Sequence, residues 1–273
     1  MVSAKVQYLA EASEHPVYYA SAPGRNAQFT VDQGMKYYQV EVEDARSRST
    51  TPNDFDGQDA SGFDLLESDS AVTNFLDQHQ IEGPYEEELR ALIKSHTGAY
   101  RVEFFDHTVR ASDPDIRQTK QIREPATLVH NDYTANSGFT CLNENLGDEA
   151  EALSKTRFQI INVWRPLVDP VENFPLALCD VRSVNSQDVI DAERRAPNHI
   201  GEISLAIYNP DHRWYYFSSM RPSEVLLFKT FDSINQGKTN CSIHTAIDLP
   251  DATANNARPR ESIESRAFVF YRE

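Results

Sequence analysis

The chain has 273 residues, with 42 acidic against 26 basic side chains and a formal net charge of −16. At 40% hydrophobic and 10% aromatic residues it has the composition of a globular protein with its own core, not of a disordered one. The acidic balance argues against general binding of nucleic acid or anionic membrane, because polyphosphate affinity needs a basic face; a local basic pocket for one small anion stays open.

The first 99 residues mix short apolar runs with loops. QYLAEA (7–12) and KYYQVEVEDAR (36–46) have strand composition, and the second alternates at period two. Residues 47–62 are polar and rich in turn formers, which reads as a loop. SDSAVTNFLDQHQ (68–80) begins with capping residues and reads as a short helix. PYEEELRALIKSHTG (84–98) is the clearest helix. Pro84 suits its first position, Glu86 to Glu88 its first turn, and Gly98 its end. Leu89, Leu92 and Ile93 form its apolar face together with Tyr85.

From residue 100 the pattern changes to short runs rich in Val, Ile, Phe, Tyr and Trp, separated by Pro, Gly, Asn and Asp. Nine such strands are expected, at 101–110, 124–132, 157–167, 174–181, 202–209, 213–219, 224–232, 241–248 and 261–271. Without long helices between them they argue for an antiparallel sandwich or barrel. The insertion at 183–201 reads as carrying a short helix, and the acidic cluster around Glu144 to Glu151 as a solvated loop. The expected division is a single domain over 1–273, with a support region at 1–99 and the β core at 100–273.

His130 and Asp132 form an H-x-D pair at the end of the apolar strand 124–132. In a strand, i and i+2 point to one face, so both side chains converge. His244, on the strand 241–248, supplies a third ligand. Two imidazoles and one carboxylate make the facial triad that binds Fe(II) and leaves coordination positions open. Arg260 and Ser262 are again i and i+2, at the start of the last strand. An arginine beside a hydroxyl holds a carboxylate through an ion pair and a hydrogen bond, as the far end of a keto acid requires. Arg266, on the same face, is a rival for that role, and Arg258 a weaker one. Tyr133 and Thr134, next to Asp132, and Trp164 and Arg165, in INVWRPL, are candidates for substrate contact. The competing readings are core packing for Trp164, an ion pair with an acid such as Asp180 for Arg165, and loop fixing through the Thr134 hydroxyl for the Tyr133 and Thr134 pair. His107, beside Asp106 and Arg110, reads as part of a structural polar network.

On these strings the chain resembles the Fe(II)/2-oxoglutarate-dependent dioxygenases, within them the secondary-metabolism hydroxylase/desaturase group of AsaB, gibberellin desaturase and the CmcJ-like proteins. The resemblance runs through VEDAR, SGFDLLESDSAV, HTGAYRVEFFDHTVR, HNDYT, INVWRPL, PLALCDVRS, HRWYYF, EVLLFKTFDS, HTAID and RESIESRAFVFY. It implies a mainly β fold, a double-stranded β-helix (jelly-roll) core with N-terminal and flanking helices. It also implies iron, 2-oxoglutarate and O₂, with His130, Asp132 and His244 as the metal ligands. The expected reaction is hydroxylation or desaturation at an unactivated C–H bond of a small secondary metabolite, with succinate and CO₂ as co-products. Two other readings stay open: an O₂-dependent iron oxidase that does not use 2-oxoglutarate, and a non-catalytic jelly-roll partner subunit. A cupin-type isomerase would share the barrel without needing the R-x-S anchor.

Cys141, Cys179 and Cys241 stand far apart with no CxxC pair, which excludes a zinc ribbon and suits a reducing compartment. The first residues lack the apolar run of a signal peptide, and no stretch approaches the roughly 18 apolar residues of a membrane span. The expectation is a cytoplasmic protein acting on a small-molecule substrate, with neither nucleic acid nor membrane as partner.

Overall fold

The computed structural model describes residues 1–11, 15–47, 55–57, 60–197, 199–234, 241–249 and 257–272. Its strands are β1 (Val2–Leu9), β2 (Val17–Tyr19), β3 (Thr30–Val31), β4 (Met35–Asp44), β5 (Phe63–Glu67), β6 (Arg101–Ala111), β7 (His130–Asn131), β8 (Phe158–Pro166), β9 (Leu176–Cys179), β10 (Val189–Ala196), β11 (His199–Ala206), β12 (Trp214–Tyr216), β13 (Glu224–Asp232), β14 (His244–Ala246) and β15 (Glu261–Phe270). The helices are α1 (Gln78–Gln80), α2 (Glu86–Thr97), α3 (Pro114–Lys120), α4 (Ser137–Leu146) and α5 (Ala150–Leu153).

Two sheets face each other. One has the order β5-β13-β8-β15-β6, the other β1-β4-β12-β9-β14-β7-β11-β10-β2-β3. From β6 onward the chain passes back and forth between them. β6, β8, β13 and β15 lie in the five-stranded sheet, and β7, β9, β12 and β14 in the other. This winding is the jelly roll, with β10 and β11 added as a hairpin on one edge. Strands of the first 99 residues extend both sheets: β1 pairs with β4, β4 with β12, and β5 with β13.

Alternation divides β8 and β15 into two faces. Ile161, Val163, Ile263, Ala267 and Val269 face outward and pack with Tyr85, Leu89 and Ile93 of the α2 region. The inner face of β15 reads Ser262, Glu264, Arg266, Phe268, Phe270, and that of β8 reads Trp164, Asn162, Ile160, Phe158 in matching register. A polar band therefore crosses the barrel between two apolar ends. One end joins Phe158, Ile160, Phe268 and Phe270 to Leu142, Ala150 and Leu153 of α4 and α5. The other holds Trp164, Leu176, Leu178 and Phe228.

Several local expectations change. Residues 68–76 are irregular, and the helix begins only after Asp77, whose carboxylate accepts from the His79 amide. Pro84 lies in a π-helical turn, Ile81–Tyr85, ahead of α2 and not at its first position. Gly98 ends α2 in the left-handed region, at φ 73°. The insertion at 183–201 carries the expected short helix only as a single 3-10 turn, Ser186–Asp188, and then the strand β10, whose residues pair with β11. The acidic stretch after Glu144 is helical, since Ala150 and Leu153 bury against the sheet while the acids face water. Of the run 124–132 only His130–Asn131 is strand. The loop expected at 47–62 falls largely outside the described residues.

Gly138 sets how closely α4 approaches the sheet. A Cβ there would meet the Phe231 ring at 2.3 Å. Gly138→Ala is therefore expected to destabilise the protein by about 2 kcal/mol, as overpacking does, measurable as a lower urea midpoint. An unchanged midpoint would show that α4 shifts freely.

Candidate active site

The β7 and β14 strands lie side by side, with His130 directly opposite His244. Their rings are 4.4 Å apart between centroids. His130 Nδ1 donates to the Leu128 carbonyl at 2.7 Å and His244 Nδ1 to the Ser242 carbonyl at 3.0 Å. A carbonyl only accepts, so each proton sits on Nδ1 and each Nε2 lone pair is free to bind a metal. Asp132 follows β7, and its Oδ1 lies 3.5 Å from His130 Nε2. One ligand atom from each of the three residues lies within 4.8 Å of the others. Asn131, between the two, turns the other way and donates to the Tyr133 and Thr230 carbonyls.

The second oxygen of Asp132 is held from behind. Asn162 Nδ2 donates to Oδ2 at 2.7 Å and Arg266 Nε at 2.9 Å. Burial opposes the charge on Asp132, but Arg266 and the two imidazoles outweigh it and keep the carboxyl well below its usual range. Burial, then the neighbouring His130, pushes His244 down to about 3. At neutral pH His244 is thus a neutral imidazole and Asp132 a carboxylate, and with the His130 imidazole they form the donor set that suits Fe(II). Asn162→Ala would free Asp132 to rotate. Metal affinity is then expected to fall by roughly tenfold, read by Mn(II) titration; unchanged affinity would remove Asn162 from the supporting shell.

The arginines separate by their partners. Arg266 is bound to Asp132, Asp106 and Glu264. Arg260 is only 2% exposed and forms no ion pair among the described residues. Its Nε and Nη2 donate to Ser262 Oγ at 3.2 and 3.0 Å, and its Nη1 to the Phe174 carbonyl at 2.7 Å. Burial, with Arg110 nearby, pushes it down to about 9. The guanidinium stacks over Trp164 at 5.1 Å, and the Trp164 Nε1 donor is buried with no hydrogen-bond partner. A buried cation without its anion, beside an orphaned donor, fits the carboxylate end of an acid. Arg258 is exposed and held by main-chain bonds to Glu172 and Asn173, so it does not reach this group.

The remaining candidates also separate. A cavity of about 1040 Å³ borders His130 and Asp132, with Tyr133 and Arg266 in its wall. Thr134 is buried and fixes the turn into α4. It donates to Glu202 and accepts from the Asn136 and Ser137 amides. Arg165 lies on the outer face of β8, against Tyr85 Oη and the Ser68 and Pro222 carbonyls. Trp164 packs inward under Arg260. His107 is tied to Ser265 and Glu86, while its neighbours Asp106 and Arg110 line the cavity.

Over residues 6–270 the chain matches the family described as oxidoreductase/YMDC permease-like domain. The alpha-ketoglutarate-dependent dioxygenase phiK of a fungal species is 32% identical over 241 residues, covering 85% of this chain and 83% of its own. The hydroxylase/desaturase asaB of Aspergillus flavus is 32% identical over 226 residues, covering 74% of this chain and 96% of its own. The solved structure of the iron and alpha-ketoglutarate-dependent endoperoxidase NvfI superposes with a TM-score of 0.82 at 26% identity, covering 99% of this chain and 98% of that one. The chain belongs to the Fe(II)/2-oxoglutarate-dependent dioxygenases. Iron, 2-oxoglutarate and O₂ are the family's requirements, and neither the simple iron oxidase nor the partner subunit finds support.

Within the dioxygenase, sequence reasoning did not assign Asn162 and Asp106 to the support of Asp132 and Arg266. Their signal was the alternation itself: 162 on β8 and 106 on β6 both fall on inner faces. No helix among the described residues is long and apolar enough to cross a membrane.

Proposed function

We propose that this dioxygenase oxidises an unactivated C–H bond of a small secondary metabolite, by hydroxylation or desaturation, with 2-oxoglutarate converted to succinate and CO₂. The observation that carries this reading is the His130, Asp132 and His244 group, with its three donor atoms turned to one point and their far sides tied down. These three residues would hold the iron, and Arg260 with Ser262 the far carboxylate of 2-oxoglutarate. The bound iron supplies the activation of O₂ that the oxidation of 2-oxoglutarate drives.

The chain's own residues bind and orient. Asn162 and Arg266 hold Asp132 so that only Oδ1 faces the metal position. Trp164 Nε1 offers a donor beside Arg260. Phe228, stacked edge-on against His244 at 4.8 Å, keeps water from that side. Tyr133, in the cavity wall, is the residue of the Tyr133 and Thr134 pair that would meet substrate. We read the chain over 1–273 as one dioxygenase domain, cytoplasmic, whose partner is its small-molecule substrate. Fe(II)-loaded protein given O₂ and 2-oxoglutarate is expected to release succinate and CO₂ in equal amounts. Oxygen uptake without succinate would overturn the reading.

A further inference from the structure

The charged groups that line the cavity beside His130 and Asp132, six carboxylates and four arginines, are unevenly paired. The acids are all engaged. Asp106 is bound to Arg266, Glu193 to Arg195, and Glu144 lies 3.5 Å from His199. Asp191 accepts from Ser204, and Glu202 from Thr134.

Three arginines in the same wall are not so engaged. Arg110 lies on β6, in a backbone bridge with Arg123. Arg194 lies on β10, in register with Tyr18 of β2. All three line the cavity and are half-buried, and among the described residues none forms an ion pair. Arg110 Nη1 donates only to the Glu124 carbonyl, at 2.9 Å. The Glu124 carboxylate lies close enough to favour the charge on Arg123, but it accepts from the Ser21 hydroxyl at 2.8 Å and the Phe29 amide at 3.1 Å. The three cations are near enough to oppose one another: after burial, Arg110 and Arg194 are the main influences lowering Arg123. In a chain of net charge −16, carboxylates are abundant, yet among the described residues none pairs with these guanidiniums. Partly buried like charges from three separate segments are stabilised by an anion brought between them. The rest of the nearby wall is mixed: Val17, Ala192 and Ile203 are apolar, while Tyr18, Ser21, Asp191 and Glu193 bring polar groups.

We propose that Arg110, Arg123 and Arg194 bind a carboxylate of the organic substrate, so that the compound oxidised is a carboxylic acid. The assignment rests on the reading that oxidation takes place at His130, Asp132 and His244, which border the same cavity or lie beside it. Arg110 lies opposite Ser262 in register and near Arg260, so the site adjoins the 2-oxoglutarate anchor that this reading puts at Arg260, and Arg123 and Arg194 are the residues that tell the two apart.

The test uses the full chain loaded with Mn(II) and 2-oxoglutarate without O₂. Carboxylic acids of a size that fits the cavity of about 1040 Å³ are titrated in, each alongside its primary amide. At least one acid is expected to bind about tenfold or more tightly than its amide, as a bidentate charge-assisted contact allows. That preference is expected to disappear in Arg123→Gln and Arg194→Gln, with 2-oxoglutarate affinity unchanged. The proposal is overturned if no acid binds better than its amide to the unaltered protein, a comparison that needs no variant. It is equally overturned if the variants weaken 2-oxoglutarate as much as the acid, which would assign the guanidiniums to the co-substrate. Failure of the metal-site reading is separately visible, as loss of Mn(II)-dependent 2-oxoglutarate binding in the unaltered protein.

Discussion

Alanine in place of Asp132 is expected to abolish iron-dependent turnover of 2-oxoglutarate, and alanine at His130 or His244 to do the same. Asp132 contributes the negative charge of the group, and without it only the two imidazoles face the metal. The loss of metal affinity should exceed the roughly 10–100-fold that removal of a supporting contact brings. Folding is expected to survive in Asp132→Ala, because Arg266 keeps Asp106 and Glu264 as partners. Mn(II) binding and succinate release are the measurements. Stoichiometric metal binding together with full succinate release in any of the three variants would sink the assignment.

Arg260→Met is expected to raise the KM for 2-oxoglutarate by about a hundredfold, near 3 kcal/mol, as truncating one side of a buried charge pair does. The methionine fills much of the same space over Trp164, so the change removes charge and donors more than packing. Arg266→Met is expected to behave differently. It leaves the Asp132 carboxylate buried with only Asn162 behind it, so metal binding weakens before co-substrate binding does. A KM unchanged in Arg260→Met, or raised equally in both variants, would overturn the division of labour between the two arginines.

That division shows where reading the sequence stops. Arg260, Ser262, Glu264 and Arg266 are spaced at period two, so their common face follows from strand geometry alone. The choice of anchor does not. Arg266 is occupied because β6 brings Asp106 and the end of β7 brings Asp132 against it. Arg260 is left without an anion because its neighbours are Ser262, Trp164 and the Phe174 carbonyl. Apart from Ser262, those partners come from distant segments, and no local pattern in the last strand encodes them. Arg165 is a similar case. It sits beside Trp164 in sequence, yet β8 turns it outward to Tyr85 and away from the cavity.

The β10 strand marks a second limit. Residues 189–196 carry Asp, Glu and two Arg, a composition that suits a surface helix as well as an edge hairpin. Pairing with β11 and β2 decided between them, and the same pairing brought Arg194 to the cavity wall. By contrast, β8, β13 and β15 were plain from their aromatic and β-branched runs, because strands with buried faces need apolar residues on them. The sequence by itself determined the strand-rich core, the helix α2 and the spacing of His130, Asp132 and His244, since alternation and helical periodicity are local properties of the chain. Only the tertiary structure decided which arginine is free, which acids are taken and what surrounds the cavity, because those depend on contacts between strands far apart in sequence.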